Sequence, residues 1–211
     1  MYPLDMTYLL LIVFNSLFAA QAAHQHHPPT DAKEYARILN DPAREAWQKP
    51  QEVIAALKIQ PSDVIADIGA GSGYFARRFV EHASKVYAVD ISADLLKIAA
   101  NGAPKNLVTV LASEDDPKLP SSSVNLVFIC DVLHHIENRP AYYQKLKTAL
   151  KPGGRIVNID FYKKDLPVGP PVPMKLSEEQ VIDEFKAAGF KLARKHDMLP
   201  YQYFLEFERA E

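Results

Sequence analysis

The chain has 211 residues, of which 48% are hydrophobic and 24% are charged, proportions typical of one globular domain with a sizeable core. Its 24 lysines and arginines nearly balance 26 aspartates and glutamates, and no basic run is present, which argues against nucleic acid as a partner. The single cysteine, Cys130, excludes an internal disulfide framework and a cysteine-rich zinc site. We therefore predict one domain without a bound metal.

The N-terminus differs in character from the rest of the chain. Residues 8–20 form an apolar run, shorter than the roughly 20 residues that span a bilayer, and a small-x-small cleavage pattern follows at residues 20–22. This predicts a signal peptide over residues 1–22 and export to the periplasm or the cell exterior. No lysine or arginine precedes the run, so an uncleaved membrane anchor, or a cytoplasmic domain, is the alternative. The His- and Pro-rich residues 23–33 are expected to form a flexible linker, and residues 34–211 the domain.

Helices and strands alternate through most of the domain. Residues 31–57 show helical periodicity, with helix starts at Asp41-Pro42 and at Pro50. Five apolar runs then predict strands that lack a polar face, at Val64–Ile68, Val86–Val89, Leu107–Leu111, Val124–Cys130 and Arg155–Ile159. Helices are expected near Tyr74–His82, Ala93–Asn101 and Pro140–Leu150, and Pro152-Gly153-Gly154 separates the last helix from the fifth strand.

The C-terminal part departs from this alternation. Ser177 and Gln180 form a capping-box pattern that opens a helix to about Ala188. Residues 191–196 and 201–208 then predict two antiparallel strands. Together the elements predict an α/β fold: a Rossmann-like three-layer sandwich with a mostly parallel seven-stranded sheet that ends in an antiparallel hairpin.

An acidic residue and three closely spaced glycines follow the first strand. In the run Asp67-Ile-Gly69-Ala-Gly71-Ser-Gly73-Tyr74, the glycines permit a sharp turn and a close approach of backbone to ligand, and the next helix presents free N–H groups. A nucleotide-like cofactor is expected there. The dinucleotide fingerprint requires a glycine where Tyr74 stands, which disfavours a nicotinamide-dependent oxidoreductase. The carboxylate of Asp67 favours a cofactor that carries positive charge.

On these residues the chain resembles the class I S-adenosylmethionine-dependent methyltransferases, over roughly residues 34–208. The resemblance implies that Asp67, Gly69, Gly71, Gly73 and Tyr74 wrap the methionine part of the cofactor. It further implies that Asp90 holds the ribose hydroxyls, that Ile91 packs on the adenine, and that Ser113, Glu114 or Asp115 lies near the adenine amino group. Asp131, after the fourth strand, is expected to face the methionine end and the methyl acceptor.

Candidates for the chemistry come from three other parts of the chain. His134 and His135 are the candidate catalytic residues, because histidine accepts a proton near neutral pH; packing on a helix face is the alternative. Arg44 and Trp47 are expected to cap the cofactor cleft, and Tyr162 to line the acceptor pocket at the root of a proline-rich loop.

The later motifs resemble the quinone-biosynthesis-like methyltransferases that act on small molecules. They include the paired histidines and the run Leu150-Lys-Pro-Gly-Gly-Arg155. We therefore predict S-adenosylmethionine as the cofactor and a small molecule as the acceptor. A charged sulfonium does not cross a bilayer unaided, so an exported enzyme lacks its obvious supply. The alternative is a noncatalytic module that binds S-adenosylmethionine or another nucleoside-like ligand on the same fold.

Overall fold

The computed structural model describes residues 31–210, so the predicted signal peptide or anchor, and most of the expected linker, lie outside the described residues. Three helices open the described part: α1 (Ala32–Leu39), α2 (Arg44–Gln48) and α3 (Pro50–Leu57). The side chain of Asp31 caps α1 by accepting hydrogen bonds from two backbone N–H groups. Helix α1 therefore begins inside the range expected to be linker. None of the helices in residues 31–210 is long and apolar enough to cross a membrane.

Seven strands form one sheet in the order β3-β2-β1-β4-β5-β7-β6. The strands are β1 (Val64–Ile68), β2 (Lys85–Asp90), β3 (Leu107–Leu111), β4 (Val124–Cys130), β5 (Leu150–Phe161), β6 (Phe190–His196) and β7 (Gln202–Arg209). The first five are parallel, and β7 lies antiparallel to both β5 and β6. The connecting helices are α4 (Ala76–Phe79), α5 (Ala93–Ala100), α6 (Arg139–Ala149) and α7 (Glu178–Ala187). The predicted fold class is confirmed.

Side chains pack on both faces of this sheet. On one face, Phe75, Phe79 and Phe128 pack together beneath α3 and α4. On the other face, Tyr143 and Phe185 pack together between α6, α7 and the sheet. Two covered faces explain why the central strands β1 and β4 are almost continuously apolar rather than alternating.

The structure corrects three details of the predicted elements. Strand β3 is half exposed, because it is an edge strand covered by fewer neighbours than the others. Helix α4 has only one turn, since residues 71–75 before it form successive turns. Strand β5 begins at Leu150, which pairs with Val124, so Pro152-Gly153-Gly154 lies within the strand.

The predicted cap of α7 is half present. The hydroxyl of Ser177 accepts a hydrogen bond from the N–H of Gln180 at 3.1 Å. The Gln180 side chain, however, donates to Glu184 at 2.9 Å instead of returning to the cap. Ser177 is thus an N-cap without the reciprocal bond of a capping box.

Candidate functional site

The glycine loop turns at the carboxyl end of β1, where open parallel sheets bind ligands. Gly69, Gly71 and Gly73 have φ of +69°, +54° and +89°, values that favour glycine. A Cβ on Gly69 would lie 2.2 Å from a methyl carbon of Val132, so this position has no room for a side chain. The backbone N–H of Gly69 donates to Val89 at 2.8 Å, which fixes the loop against β2. Close packing and backbone conformation both require the glycine that the motif supplies.

Asp90 ends β2 beside this loop. One carboxylate oxygen accepts a hydrogen bond from the Gly71 N–H at 2.7 Å, and the other accepts one from the Ser92 N–H at 2.8 Å. The Ile91 N–H also interacts with this carboxylate, and because a carboxylate has about four acceptor sites, part of that capacity remains for a ligand diol. The neighbouring Ile91 is 58% exposed, which leaves an apolar surface next to the carboxylate. This pair suits a ribose and an adjoining base.

Asp67 is a buried carboxylate that lacks a full set of partners. Its Oδ2 atom has no hydrogen-bond partner among residues 31–210, although it is shielded from solvent. Burial raises the pKa of Asp67 to about 8, against the opposing effects of the Ala76 N–H and the Arg44 guanidinium. A positively charged partner stabilises the ionised form of a carboxylate that is buried and lacks hydrogen-bond partners. The methionine part of S-adenosylmethionine, with its ammonium and sulfonium, fits this requirement.

The pKa of Asp67 implies a pH-dependent affinity. A cationic ligand favours the ionised carboxylate. We therefore expect the affinity for S-adenosylmethionine to rise with pH, by up to about tenfold per pH unit. The affinity should level off above pH about 8, the pKa of Asp67. Binding below this pH should release the proton from Asp67. Calorimetry in two buffers with different ionisation enthalpies measures the number of protons released. Asp67→Asn is the control and should show a flatter profile. An equal slope in the variant would show that Asp67 is not the titrating group.

Helices α1 and α2 cover the glycine loop. The Asn40 side chain donates to the Ser72 hydroxyl oxygen at 2.7 Å, and the Tyr74 hydroxyl donates to Glu45 at 3.2 Å. The Tyr74 ring lies between two guanidinium groups, with Arg44 at 4.1 Å and Arg78 at 4.2 Å from its centroid. Tyr74 thus joins the glycine loop to α2, and its side chain contacts this covering helix.

Arg44 connects the covering helix α2 to the end of β4. One guanidinium nitrogen lies 3.3 Å from the Asp131 carboxylate, and Asp131 also accepts a hydrogen bond from Gln202 at 2.5 Å. Gln48 donates to Gln202 at 2.9 Å, so α2 is tied to β7 as well. Burial raises the pKa of Asp131, and the charge of Arg44 opposes that effect. Arg44 thus lies between Tyr74 of the glycine loop and Asp131 at the end of β4, and its expected role over the cofactor cleft stays a prediction.

The two candidate histidines are in different environments. His134 has a side chain only 3% exposed, and its Nδ1 lies 2.9 and 3.0 Å from the oxygens of Asp160, which is fully buried at the end of β5. Because a carboxylate only accepts, Nδ1–H donates. Nε2 has no hydrogen-bond partner among the described residues. His135 is exposed and stacks beside His134, with ring centroids 4.2 Å apart.

Charge around His134 favours its protonated form. Burial works in the opposite direction, but the hydrogen bond and charge of Asp160, together with the charge of Asp131, raise the pKa of His134. The ring is thus oriented and made more basic by a carboxylate, the arrangement found in general bases. Of the two histidines, His134 has the geometry of a proton acceptor.

The remaining predicted residues are not all brought together. Trp47 packs on Phe161, with ring centroids 5.6 Å apart. Tyr162 follows Phe161, and successive side chains point to opposite faces; its ring lies 6.0 Å from that of Tyr203 on the other face. Trp47 and Tyr162 thus pack on different faces of the sheet, and their expected roles at the cleft and the acceptor pocket stay predictions.

The predicted adenine contacts remain predictions. The Ser113 hydroxyl donates to Asp115 at 2.8 Å, and Glu114 is exposed. Sequence reasoning missed Asp160, Gln202 and Gln48. Asp160 was detectable, since it is a carboxylate at the carboxyl end of an apolar strand.

Comparisons with known proteins agree with this geometry. A family model described as a methyltransferase domain matches residues 66–158. Phosphoethanolamine N-methyltransferase 1 of Arabidopsis thaliana is 24% identical over 163 residues, which cover 74% of this chain and 30% of that protein. A ubiquinone/menaquinone biosynthesis C-methyltransferase of Cupriavidus taiwanensis is 27% identical over 116 residues, 52% of this chain and 48% of that protein. The chain thus spans less than half the length of these curated relatives.

A solved structure shows the same fold. A SAM-dependent methyltransferase of Aquifex aeolicus superposes with a TM-score of 0.77 and 23% identity, covering 84% of this chain and 97% of that chain. The matched family model includes the glycine loop, Asp90 and the strand before Asp131. The matches identify a methyltransferase domain over residues 66–158, and the motif and the sheet topology are those of the class I S-adenosylmethionine-dependent methyltransferases.

Proposed function

We propose that the protein transfers a methyl group from S-adenosylmethionine to a small-molecule acceptor. The observation that carries this proposal is the buried, incompletely paired carboxylate of Asp67 beside the glycine loop and Asp90. When bound, the cofactor supplies a methyl group on a positively charged sulfur, which is activated for in-line displacement. The protein's own residues bind and orient the cofactor and the acceptor and exclude water from them. Orientation of this kind lowers the activation free energy by roughly 7–11 kcal/mol at best.

His134 is the proposed proton acceptor. Its Nδ1–H is held by Asp160, which fixes the ring and leaves Nε2 to take the proton that the acceptor loses. Asp160 acts as a positioning residue and stabilises the imidazolium that forms. An acceptor that must lose a proton, such as a hydroxyl or an acidic carbon, therefore suits this site best.

Three observations support a small acceptor. Helices α1 and α2 enclose the loop through Asn40, Tyr74 and Arg44, which restricts access from that side. The net charge of -2, without a basic run, is unfavourable for a nucleic-acid substrate. The curated relatives with similar sequences are named for phosphoethanolamine and for quinone biosynthesis.

The proposal is tested with methyl-labelled S-adenosylmethionine and the full chain. We expect label to pass to at least one member of a panel of small hydroxyl, amine and hydroquinone acceptors, with formation of S-adenosylhomocysteine. Gly71→Arg is the control that blocks the loop and should form none. Tight cofactor binding without turnover on any acceptor would instead support the noncatalytic binding module.

A further inference from the structure

The two edges of the sheet differ in how they are protected. Strand β6 carries three cationic side chains, Lys191, Arg194 and Lys195, and charged edges resist pairing with another strand. Strand β3, at the opposite edge, has the sequence Leu-Val-Thr-Val-Leu and no charged side chain. An uncharged apolar edge is the kind that adds a further strand.

The exposed edge of β3 has hydrogen-bonding groups to offer. Ala112 donates to Asp90 of β2, and the direction of backbone groups alternates along a strand. The N–H and C=O groups of Thr109 and Leu111 are therefore directed away from β2. The side chains of Val108 and Leu111 are 37% and 57% exposed. The cofactor site lies at the carboxyl end of the sheet, so a bound cofactor leaves the middle of β3 uncovered.

We propose that two copies of the chain associate through β3, antiparallel, about a two-fold axis at Thr109. A two-fold axis brings the same strand of each copy edge to edge and runs them in opposite directions. The Thr109 N–H of each copy then donates to the Thr109 C=O of the other, and Leu107 faces Leu111 of the partner. Such a pairing continues the sheet across both subunits and buries the exposed apolar side chains.

Charges at the ends of β3 are complementary in this arrangement. Lys105 precedes the strand and Glu114 follows it; both are exposed, and neither has an ion-pair partner among residues 31–210. Antiparallel pairing about Thr109 brings the end of each strand that Lys105 precedes next to the end of the partner strand that Glu114 follows, and does so twice. A parallel arrangement would instead bring like charges together, so the strand is self-complementary in only one direction.

Sedimentation of the full chain over a range of concentrations tests the pairing. We expect a concentration-dependent dimer. Thr109→Pro removes the outward N–H at a position where an edge strand tolerates proline, and should raise the dimer dissociation constant about tenfold or more. Thr109→Ala keeps that N–H and should remain close to the wild-type constant. Cofactor affinity should be preserved in both, and so should the melting temperature measured at concentrations where all three proteins are monomeric.

A charge exchange provides a second test that does not depend on proline. Lys105→Glu and Glu114→Lys should each weaken the dimer at low salt, and the double variant should restore it. A wild-type monomer at every concentration up to the solubility limit would overturn the proposal. So would a dimer that keeps its dissociation constant in Thr109→Pro and in both single charge variants.

Discussion

Replacing His134 with glutamine should lower the rate of methyl transfer by about 10²- to 10⁴-fold, the usual contribution of a positioned general base. The glutamine side chain is close in size and polar but does not accept a proton at neutral pH. Cofactor affinity should stay near the wild-type value, because His134 contacts Asp160 rather than the glycine loop. Single-turnover rates with labelled cofactor and calorimetric affinities measure the two quantities separately.

Two matched variants distinguish a base from a packing residue. His135→Gln changes the neighbouring exposed ring and should alter the rate little. Asp160→Asn reverses the hydrogen bond, since its amide N–H donates to Nδ1 and leaves the proton on Nε2, where it blocks proton acceptance. We expect this variant to lose nearly as much rate as His134→Gln.

The pH dependence gives an independent check of the same pair. In the wild type the rate should rise with pH as the imidazolium loses its proton, at a value above the usual histidine range because Asp160 raises the pKa of His134. Any residual rate in Asp160→Asn should show this rise at lower pH. If His134→Gln keeps the wild-type rate and profile, orientation alone drives the reaction and His134 has only a packing role.

Replacing Gly69 with alanine should lower the free energy of unfolding by about 2–5 kcal/mol. One part, about 1–2 kcal/mol, is the cost of a side chain in the left-handed region, where Gly69 has φ +69°. The larger part is overpacking, about 1–3 kcal/mol, because the new Cβ would lie 2.2 Å from Val132. Urea unfolding of the full chain measures the difference.

Gly102 provides the control for backbone strain. Its φ of +66° nearly equals that of Gly69, but a Cβ there would meet nothing within 4 Å. Gly102→Ala should therefore cost only the conformational part. Adding Val132→Ala to Gly69→Ala should recover part of the loss, since it removes the methyl groups that clash. Equal destabilisation of Gly69→Ala and Gly102→Ala would contradict the packing argument.

Most of the fold could be predicted from the sequence, because the central strands are buried on both faces and therefore stand out as apolar runs. Runs such as Val64–Ile68 and Val124–Cys130 are apolar at all but one position, and their alternation with helices leaves few topologies. The glycine loop and Asp90 were predictable for a related reason: each lies directly at the end of such a strand.

What was not predictable depends on contacts between distant parts of the chain. Arg44 and Asp131 are 87 residues apart, and His134 and Asp160 are 26 apart, so no local pattern joins them. The position of β3 at the edge follows from strand order, which its apolar sequence does not reveal. That Tyr162 and Trp47 pack on different faces of the sheet likewise follows from the strand register, which no local pattern reveals.

The most direct test of the central claim is calorimetric titration of S-adenosylmethionine and S-adenosylhomocysteine into the full chain and into two variants. We expect the wild type to bind both ligands. Asp90→Ala should weaken binding by about 1.5–3 kcal/mol, the range for charge-assisted hydrogen bonds. Gly71→Arg should abolish it, because φ is +54° at this position and an added Cβ would already lie 2.8 Å from Leu39. Absence of binding to the wild type, or an unchanged affinity in Asp90→Ala, would contradict the assignment of this loop as the cofactor site.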